Sequence, residues 1–166
     1  MNKLDWTTPL GTMTLAADEV GLCGAWFAGQ AYFGAGVDLD QATVAATPIL
    51  RRAAAWLDAY FAGARPAVDV PLHAAGTPYR QAVWTALTAI PYGETATYRD
   101  LAQAVGGGAR AIGGAVGHNP LSLFVPCHRV VATDGALTGY AGGLERKAAL
   151  LTLEGERVVA GRLVRA

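Results

Sequence analysis

Apolar positions fall first at strand spacing and then at helical spacing, and each change marks an element boundary. Residues 1–30 predict a short meander, in which Thr12-Met-Thr-Leu-Ala-Ala and Val20-Gly-Leu-Cys-Gly-Ala-Trp-Phe, separated by the turn residues Asp18-Glu19, have the spacing of a hairpin. Residues 29–46, rich in Gly, Ala and Asp, predict a loop. Ile49, Ala53, Trp56, Leu57 and Tyr60 then repeat on one helical face, with Thr47 as N-cap, Pro48 at the first helical position and Gly63 as the stop. Val68-Asp-Val-Pro-Leu predicts one more edge strand, and residues 73–76 a linker in which His73 is expected as a surface residue, not a ligand.

The second half restarts with Thr77 as cap and Pro78 behind it, and Val83, Trp84, Leu87 and Ile90 line one face before Pro91-Tyr-Gly93 ends the helix. Thr97-Tyr-Arg-Asp100 has the form of a capping box with Asp in place of Glu, opening a two-turn helix with Leu101 and Val105 inward. Gly106-Gly-Gly108 predicts a turn, and Ala109 to Gly117 a further helix with Ile112 and Val116 inward, which together make a helix-turn-helix. Arg110, Gly113, Gly114 and Gly117 share one face of that last helix. Each interior glycine costs about 0.5–1 kcal/mol relative to alanine, so something needs close approach to this face. Helix packing and a nucleic-acid groove reached by Arg110 both satisfy that need, and glycines alone do not choose between them. Leu123 to Ala132 predicts a buried strand, Asp134-Gly135 a hairpin, and Leu144 to about Glu154 a helix with Leu144, Ala148 and Leu151 inward; residues 156–166 read as a partly ordered tail.

The elements sum to an α+β protein: a small N-terminal domain, an antiparallel sheet with one helix, over residues 1–76, and a mainly helical C-terminal domain over residues 77–166. With 166 residues, 52% hydrophobic and 16% charged, the chain can bury two such cores. The first residues lack a signal-peptide core and no apolar run approaches a membrane span, which predicts a cytoplasmic protein with no membrane partner. Zero formal net charge argues against a nucleic-acid binder held by charge alone. Four basic and seven acidic residues in 1–76 (−3) against nine and six in 77–166 (+3) place the mild positive field on the second half. Cys23 and Cys127 lie far apart with no metal-type spacing, so no disulfide framework, zinc site or cofactor is expected, and Cys23 reads as core filling.

Cys127 is the candidate for chemistry. Pro126 removes a ladder donor and fixes its own φ, so the chain breaks just before the thiol and holds it at the end of a rigid element. His128 offers a base, and Arg129 a charge that lowers a thiol pKa. Adjacent strand residues face opposite ways, so Cys127 and His128 communicate only if the chain turns or a water relays the proton. A relay also needs a carboxylate to orient the imidazole. Glu154 sits at a helix C-terminus, where the dipole disfavours negative charge, so it needs a partner of its own. Asn119 before Pro120 is expected to fix a turn, and Tyr140, in the glycine-rich loop Thr138 to Gly143, offers a wall for a planar ring.

Six blocks in order resemble the O6-alkylguanine-DNA alkyltransferases: Thr-Pro-Tyr-Arg-Gln-Ala-Val-Trp, Ile-Pro-Tyr-Gly-Glu-Thr, Arg-Ala-Ile-Gly-Gly-Ala, Asn-Pro, Val-Pro-Cys-His-Arg-Val and Thr-Gly-Tyr-Ala-Gly-Gly. The resemblance implies single-turnover, irreversible transfer of a methyl or small alkyl group to Cys127 from O6-alkylguanine, with O4-alkylthymine as a further substrate, in duplex DNA after nucleotide flipping. It implies His128 as base through a water, Glu154 orienting it, a thiol pKa lowered within that triad, and Asn119 tying the helix to the active-site turn. Tyr98, Ala109, Arg110, Gly113 and Gly114 would meet the DNA through its minor groove, with Arg110 filling the vacated stack. Tyr98, Val116, Val130, Tyr140 and Ala141 would hold the flipped base, and the alkyl pocket would border Ser122 and Thr138. The expected partner is double-stranded DNA carrying alkylated guanine, bound by a monomer. The turn at Gly106–Gly108 is about two residues shorter than the family's, and of the zinc ligands found in some members' N-terminal domains only Cys23 could serve. Two rival readings are a DNA-binding module that accepts no group and a cysteine hydrolase that turns over.

Overall fold

A computed structural model describes residues 1–164. The protein is α+β, and its chain forms two compact units, one of Met1–Gly76 with Pro120–Phe124, the other of Thr77–Asn119 with the chain from Val125 on.

In the first unit, strands β1 (Asn2–Thr8), β2 (Gly11–Ala17), β3 (Leu22–Phe27) and β4 (Thr43–Val44) form one sheet in the order β3-β2-β1-β4. β1 and β3 run antiparallel to β2, and β4 is parallel to β1. β1 lies within the predicted meander but ahead of its hairpin, and its Leu4-Asp-Trp6 alternation sets Leu4 opposite Leu15 and Trp6 opposite Met13. Helix α1 (Pro48–Phe61) opens with the Thr47 hydroxyl accepting the Leu50 N–H and Pro48 at its first turn, and packs Leu50, Ala53, Trp56, Leu57 and Tyr60 against the sheet. Burying each large apolar side chain there is worth about 1.5–3 kcal/mol. The stretch predicted as a loop carries β4 and a 3₁₀ turn at Leu39–Gln41. The edge strand expected at Val68–Leu72 shrinks to one bridge between Leu22 and Leu72, since Pro71 has no N–H to extend a ladder.

The second unit holds α2 (Pro78–Thr88), β5 (Ala96–Thr97), α3 (Tyr98–Val105), α4 (Ala109–Gly117), β6 (Val130–Val131), α5 (Leu144–Leu153), β7 (Val158–Val159) and β8 (Arg162–Leu163). At the start of α3 the Thr97 side chain accepts the Asp100 N–H and the Asp100 carboxylate accepts the Thr97 N–H, which completes the capping box. Ala96 and Thr97 pair in parallel with Val130 and Val131.

The strand predicted from Leu123 to Ala132 does not form. The Ser122 N–H donates to the Ala25 carbonyl, so residues 120–124 group with the first sheet. Leu123 then takes φ +75°, Cys127–Arg129 coil into a 3₁₀ turn, and only Val130–Val131 is extended. Asp134-Gly135 turns the chain without making a hairpin, because Ala136 bridges Arg162 of the C-terminal segment. That segment is an ordered hairpin through position 164: β7 pairs with β8, and Leu163 joins Val131, Leu137 and Leu151 in one core. Positions 165 and 166 of the expected tail lie outside the described residues. Along α5 the buried side chains are Lys147, Leu150 and Leu151, while Leu144, expected inward, is exposed. Among the described residues no helix is long and apolar enough to cross a membrane.

Candidate active site

The 3₁₀ turn is assembled from backbone bonds: the Cys127 N–H donates to the Val125 carbonyl, the Arg129 N–H to Pro126, and the Val130 N–H back to Cys127. The Asn119 amide donates to the same Val125 carbonyl at 2.9 Å, and its side chain also hydrogen-bonds the Cys127 thiol. The end of α4 is therefore tied to the turn carrying the sulfur. Cys127, His128 and Glu154 are 4%, 0% and 2% exposed.

Glu154 caps α5, and three donors converge on its carboxylate. His128 Nε2 lies 2.6 Å from Oε2, Arg129 Nε 2.7 Å from Oε1 and Arg129 Nη2 3.2 Å from Oε2, a forked pair. A carboxylate held by a guanidinium only accepts, so His128 Nε2 carries the proton and Nδ1 presents its lone pair. Nδ1 is buried and has no hydrogen-bond partner among the described residues. Burial holds the imidazole below its ordinary pKa despite Glu154, which keeps it neutral and basic at physiological pH.

Arg129 does not act on the thiol as expected. Its guanidinium is committed to Glu154 and, through Nη1, to the Ile90 carbonyl at 2.7 Å. The expected lowered thiol pKa is also corrected: burial pushes the Cys127 thiol up, against the Asn119 hydrogen bond and the positive charge of Lys147. Lys147, which sequence reasoning missed, is fully buried on α5, and its Nζ donates to the Thr138 carbonyl at 2.8 Å. The Tyr98 hydroxyl donates to the same carbonyl at 2.9 Å, and Lys147 Nζ lies 5.9 Å from the Tyr98 ring centroid. No carboxylate pairs with Lys147 among the described residues; burial lowers its ammonium to about 8, while the nearby Cys127 acts to raise it. The available signal was its place on the buried face of α5, three positions before Leu150 and four before Leu151.

Two family profiles cover the chain: 6-O-methylguanine DNA methyltransferase, DNA binding domain, over residues 78–156, and its ribonuclease-like domain over residues 6–74. A methylated-DNA–protein-cysteine methyltransferase of Mycobacterium bovis is 54% identical over 106 residues, 63% of this chain and 64% of that protein. That of Methanosarcina acetivorans is 42% identical over 151 residues, 89% of this chain and 94% of that protein. The crystal structure of Mycobacterium tuberculosis OGT in complex with DNA superposes with a TM-score of 0.84 at 41% identity, covering 93% of this chain and 92% of that one. The chain belongs to the 6-O-methylguanine DNA methyltransferase family.

The other family positions divide by environment. Val116, Val130 and Tyr140 are buried and Ala141 half-buried, whereas Ala109, Arg110 and Gly114 are exposed and Gly113 half-buried. A Cβ built on Gly113, Gly114 or Gly117 meets nothing within 4 Å, so packing inside the described protein does not require these glycines. The Val130 N–H, expected near a base edge, is already spent on Cys127. Ser122, expected at the alkyl pocket, is buried in the first unit with its hydroxyl directed at Gln30 Oε1.

In the first domain the fold brings two further donor side chains beside Cys23, which spacing along the sequence did not reveal. Donor atoms of Asp18, Cys23 and His73 lie within 4.8 Å of one another, with His73 Nδ1 2.7 Å from Asp18 Oδ2. One oxygen, one sulfur and one nitrogen donor suit a zinc-like ion, which would brace the turn after β2.

Proposed function

We propose that this protein repairs DNA directly, transferring a methyl or small alkyl group from O6-alkylguanine in duplex DNA irreversibly to Cys127. The observation that carries this reading is the orphaned His128 Nδ1. Native proteins rarely leave a buried acceptor unpaired, and this one belongs to an imidazole fixed by a buried carboxylate, one residue from a buried thiol.

Because burial keeps Cys127 protonated at rest, the thiol proton leaves as the sulfur attacks, passing through a water to His128 Nδ1. The sulfur lone pair forms the S–C bond, the C–O6 bond breaks, and its electron pair passes into the guanine ring. The ring takes up one proton from water and the imidazolium later gives one back to water, so the thiol proton is in sum the one the guanine gains and the balance is neutral. Imidazolium formed at His128 is stabilised by Glu154, itself neutralised by Arg129. Lys147 supplies positive charge beside the thiolate and the departing guanine, and its lack of a carboxylate partner leaves that charge available. A thioether has no good leaving group, so each molecule acts once.

A thiol this buried reaches only a nucleotide rotated out of the stack. In this reading α4 enters the minor groove through its glycine face, Arg110 fills the vacated stack, and Tyr98, Val116, Tyr140 and Ala141 receive the base. The glycine face with no internal neighbour supports that role.

Intact-protein mass after incubation with a duplex containing one O6-methylguanine tests the reading. Wild type and Cys23→Ser are expected to gain about 14 Da once per chain, and Cys127→Ser nothing. Release of a product with repeated turnover would point to a hydrolase, and DNA held without any gain to a binding module. Arg110→Ala is expected to slow the gain on duplex more than on the free alkylguanine base; equal slowing removes its flipping role.

A further inference from the structure

Helix α4 follows three consecutive glycines and has no side-chain N-cap, so neither its turn nor its own first residues determine where it points. Gly106 and Gly107 take φ +85° and +95°, conformations with no side chain to hold them. The outward glycine face provides no brace either, as shown above. α4 packs against α2 and α3, and its last turn is tied through Asn119 to Val125; the polar contacts from α2 reach both its ends.

Near the C-terminal end of α4, the buried Trp84 donates its indole N–H to the Ala115 carbonyl at 2.8 Å. That carbonyl is free because the helix tightens as it ends, with the Asn119 N–H going to Val116. At the other end, the Tyr79 hydroxyl donates to the Gly106 carbonyl at 2.9 Å, its one hydrogen-bond partner among the described residues. A Cβ placed on Gly107 would lie 2.3 Å from the Tyr79 oxygen, so the hydroxyl rests against the bare backbone of the turn. The Trp84 and Asn119 contacts fix the C-terminal end of α4, and the Tyr79 hydroxyl is the side-chain hydrogen bond to the glycine turn that leads into its N-terminal end.

We infer that the Tyr79 hydroxyl is a positioning group: by clamping the Gly106–Gly107 turn it sets the angle of α4, and with it how well the protein engages duplex DNA. This rests on the proposed role of α4 in DNA binding. It acts on association with the duplex and leaves the transfer step at Cys127 untouched.

Tyr79→Phe removes one oxygen and keeps the ring. The experiment compares it with wild type on two probes that load the same cysteine, an O6-methylguanine duplex and free O6-methylguanine, and records the melting temperature. The second-order rate on duplex is expected to fall about three- to tenfold, the loss of one hydrogen bond on a flexible turn, through weaker DNA association and with the rate at saturating duplex unchanged. The free-base rate and the melting temperature are expected to match wild type, which a general loss of stability would not leave in place. An unchanged duplex rate, or equal losses on both probes, overturns the inference. Failure of wild type to load either probe overturns the functional reading instead.

Discussion

Two clusters in this molecule each contain one cysteine, one histidine and one carboxylate: Asp18, Cys23 and His73 in the first unit, and Cys127, His128 and Glu154 in the second. They differ in what surrounds the imidazole. The His73 side chain is 50% exposed, so solvent meets its needs, and its carboxylate partner sits on a turn accepting the Val20 and Gly21 N–H groups. Burial pushes the Cys23 thiol up to about 11 with no lysine beside it. In the second unit the imidazole is fully enclosed, held at Nε2 and unpartnered at Nδ1, and the thiol shares its surroundings with a buried lysine. The same residue types thus make a solvent-facing cluster in one place and an enclosed, oriented imidazole in the other. Enclosure of an oriented base is what separates them.

The largest expected break in this comparison comes from neutralising each carboxylate. Glu154→Gln should slow methyl transfer by about 10²–10⁴-fold, the usual range for a disabled acid–base relay, measured by single-turnover kinetics. Asp18→Asn should leave that rate within twofold (~1–2-fold), because it touches no proton on the transfer path; a matching loss would erase the distinction between the clusters.

Lys147→Met should separate activity from stability. Transfer is expected to slow by about tenfold or more as the charge beside the sulfur is lost. Stability should rise by about 1–3 kcal/mol in denaturant unfolding, because an unpaired buried cation is replaced by an apolar chain of similar length. Since the ammonium sits at about 8 in the folded protein against 10.5 as its ordinary value, the unfolded chain binds more protons between those limits. Stability from this group therefore rises with pH across that window, and the advantage of the methionine variant should shrink from pH 8 towards 10.5. A constant advantage would show that folding does not lower the Lys147 ammonium from its ordinary value.

The smallest effect belongs to the first cluster. Burial would raise the Asp18 carboxyl, but hydrogen bonds from Gly21, His73 and Val20 outweigh it and hold it at about 2, below the ordinary 3.8. Its stabilisation is full above 3.8 and lost as pH falls towards 2, worth about 1 kcal/mol after allowing for its partial exposure. Acid unfolding of Asp18→Asn should lack this contribution; identical acid curves would make the His73 contact incidental.

Helix boundaries were legible in the sequence because their signals are local. Thr47-Pro48, Thr77-Pro78 and the Thr97/Asp100 box act within four residues, and each helix begins where they stand. Within the meander β1 has no boundary legible in the sequence although Leu4 and Trp6 alternate, because a strand of mixed polarity is recognised by its neighbour, here β2. The run from Leu123 to Ala132 was misread for a related reason: β-branched residues fit any half-buried surface, and nothing local tells a strand from a chain that leaves one unit and turns into the other.

For the site, the order of residue types already carries the chemistry available: a thiol after a proline, a histidine beside it, and a carboxylate at a helix end that needed a partner. It took folding to commit Arg129 to Glu154, to leave Nδ1 as the open nitrogen of His128 among the described residues, and to bury Lys147 near Cys127. These depend on pairings such as His128 to Glu154, 26 residues apart, and on the solvent each burial removes. Residue types carry potential donors, acceptors and charges, but their pKa values and tautomers are set by desolvation and by the neighbours that folding brings within reach.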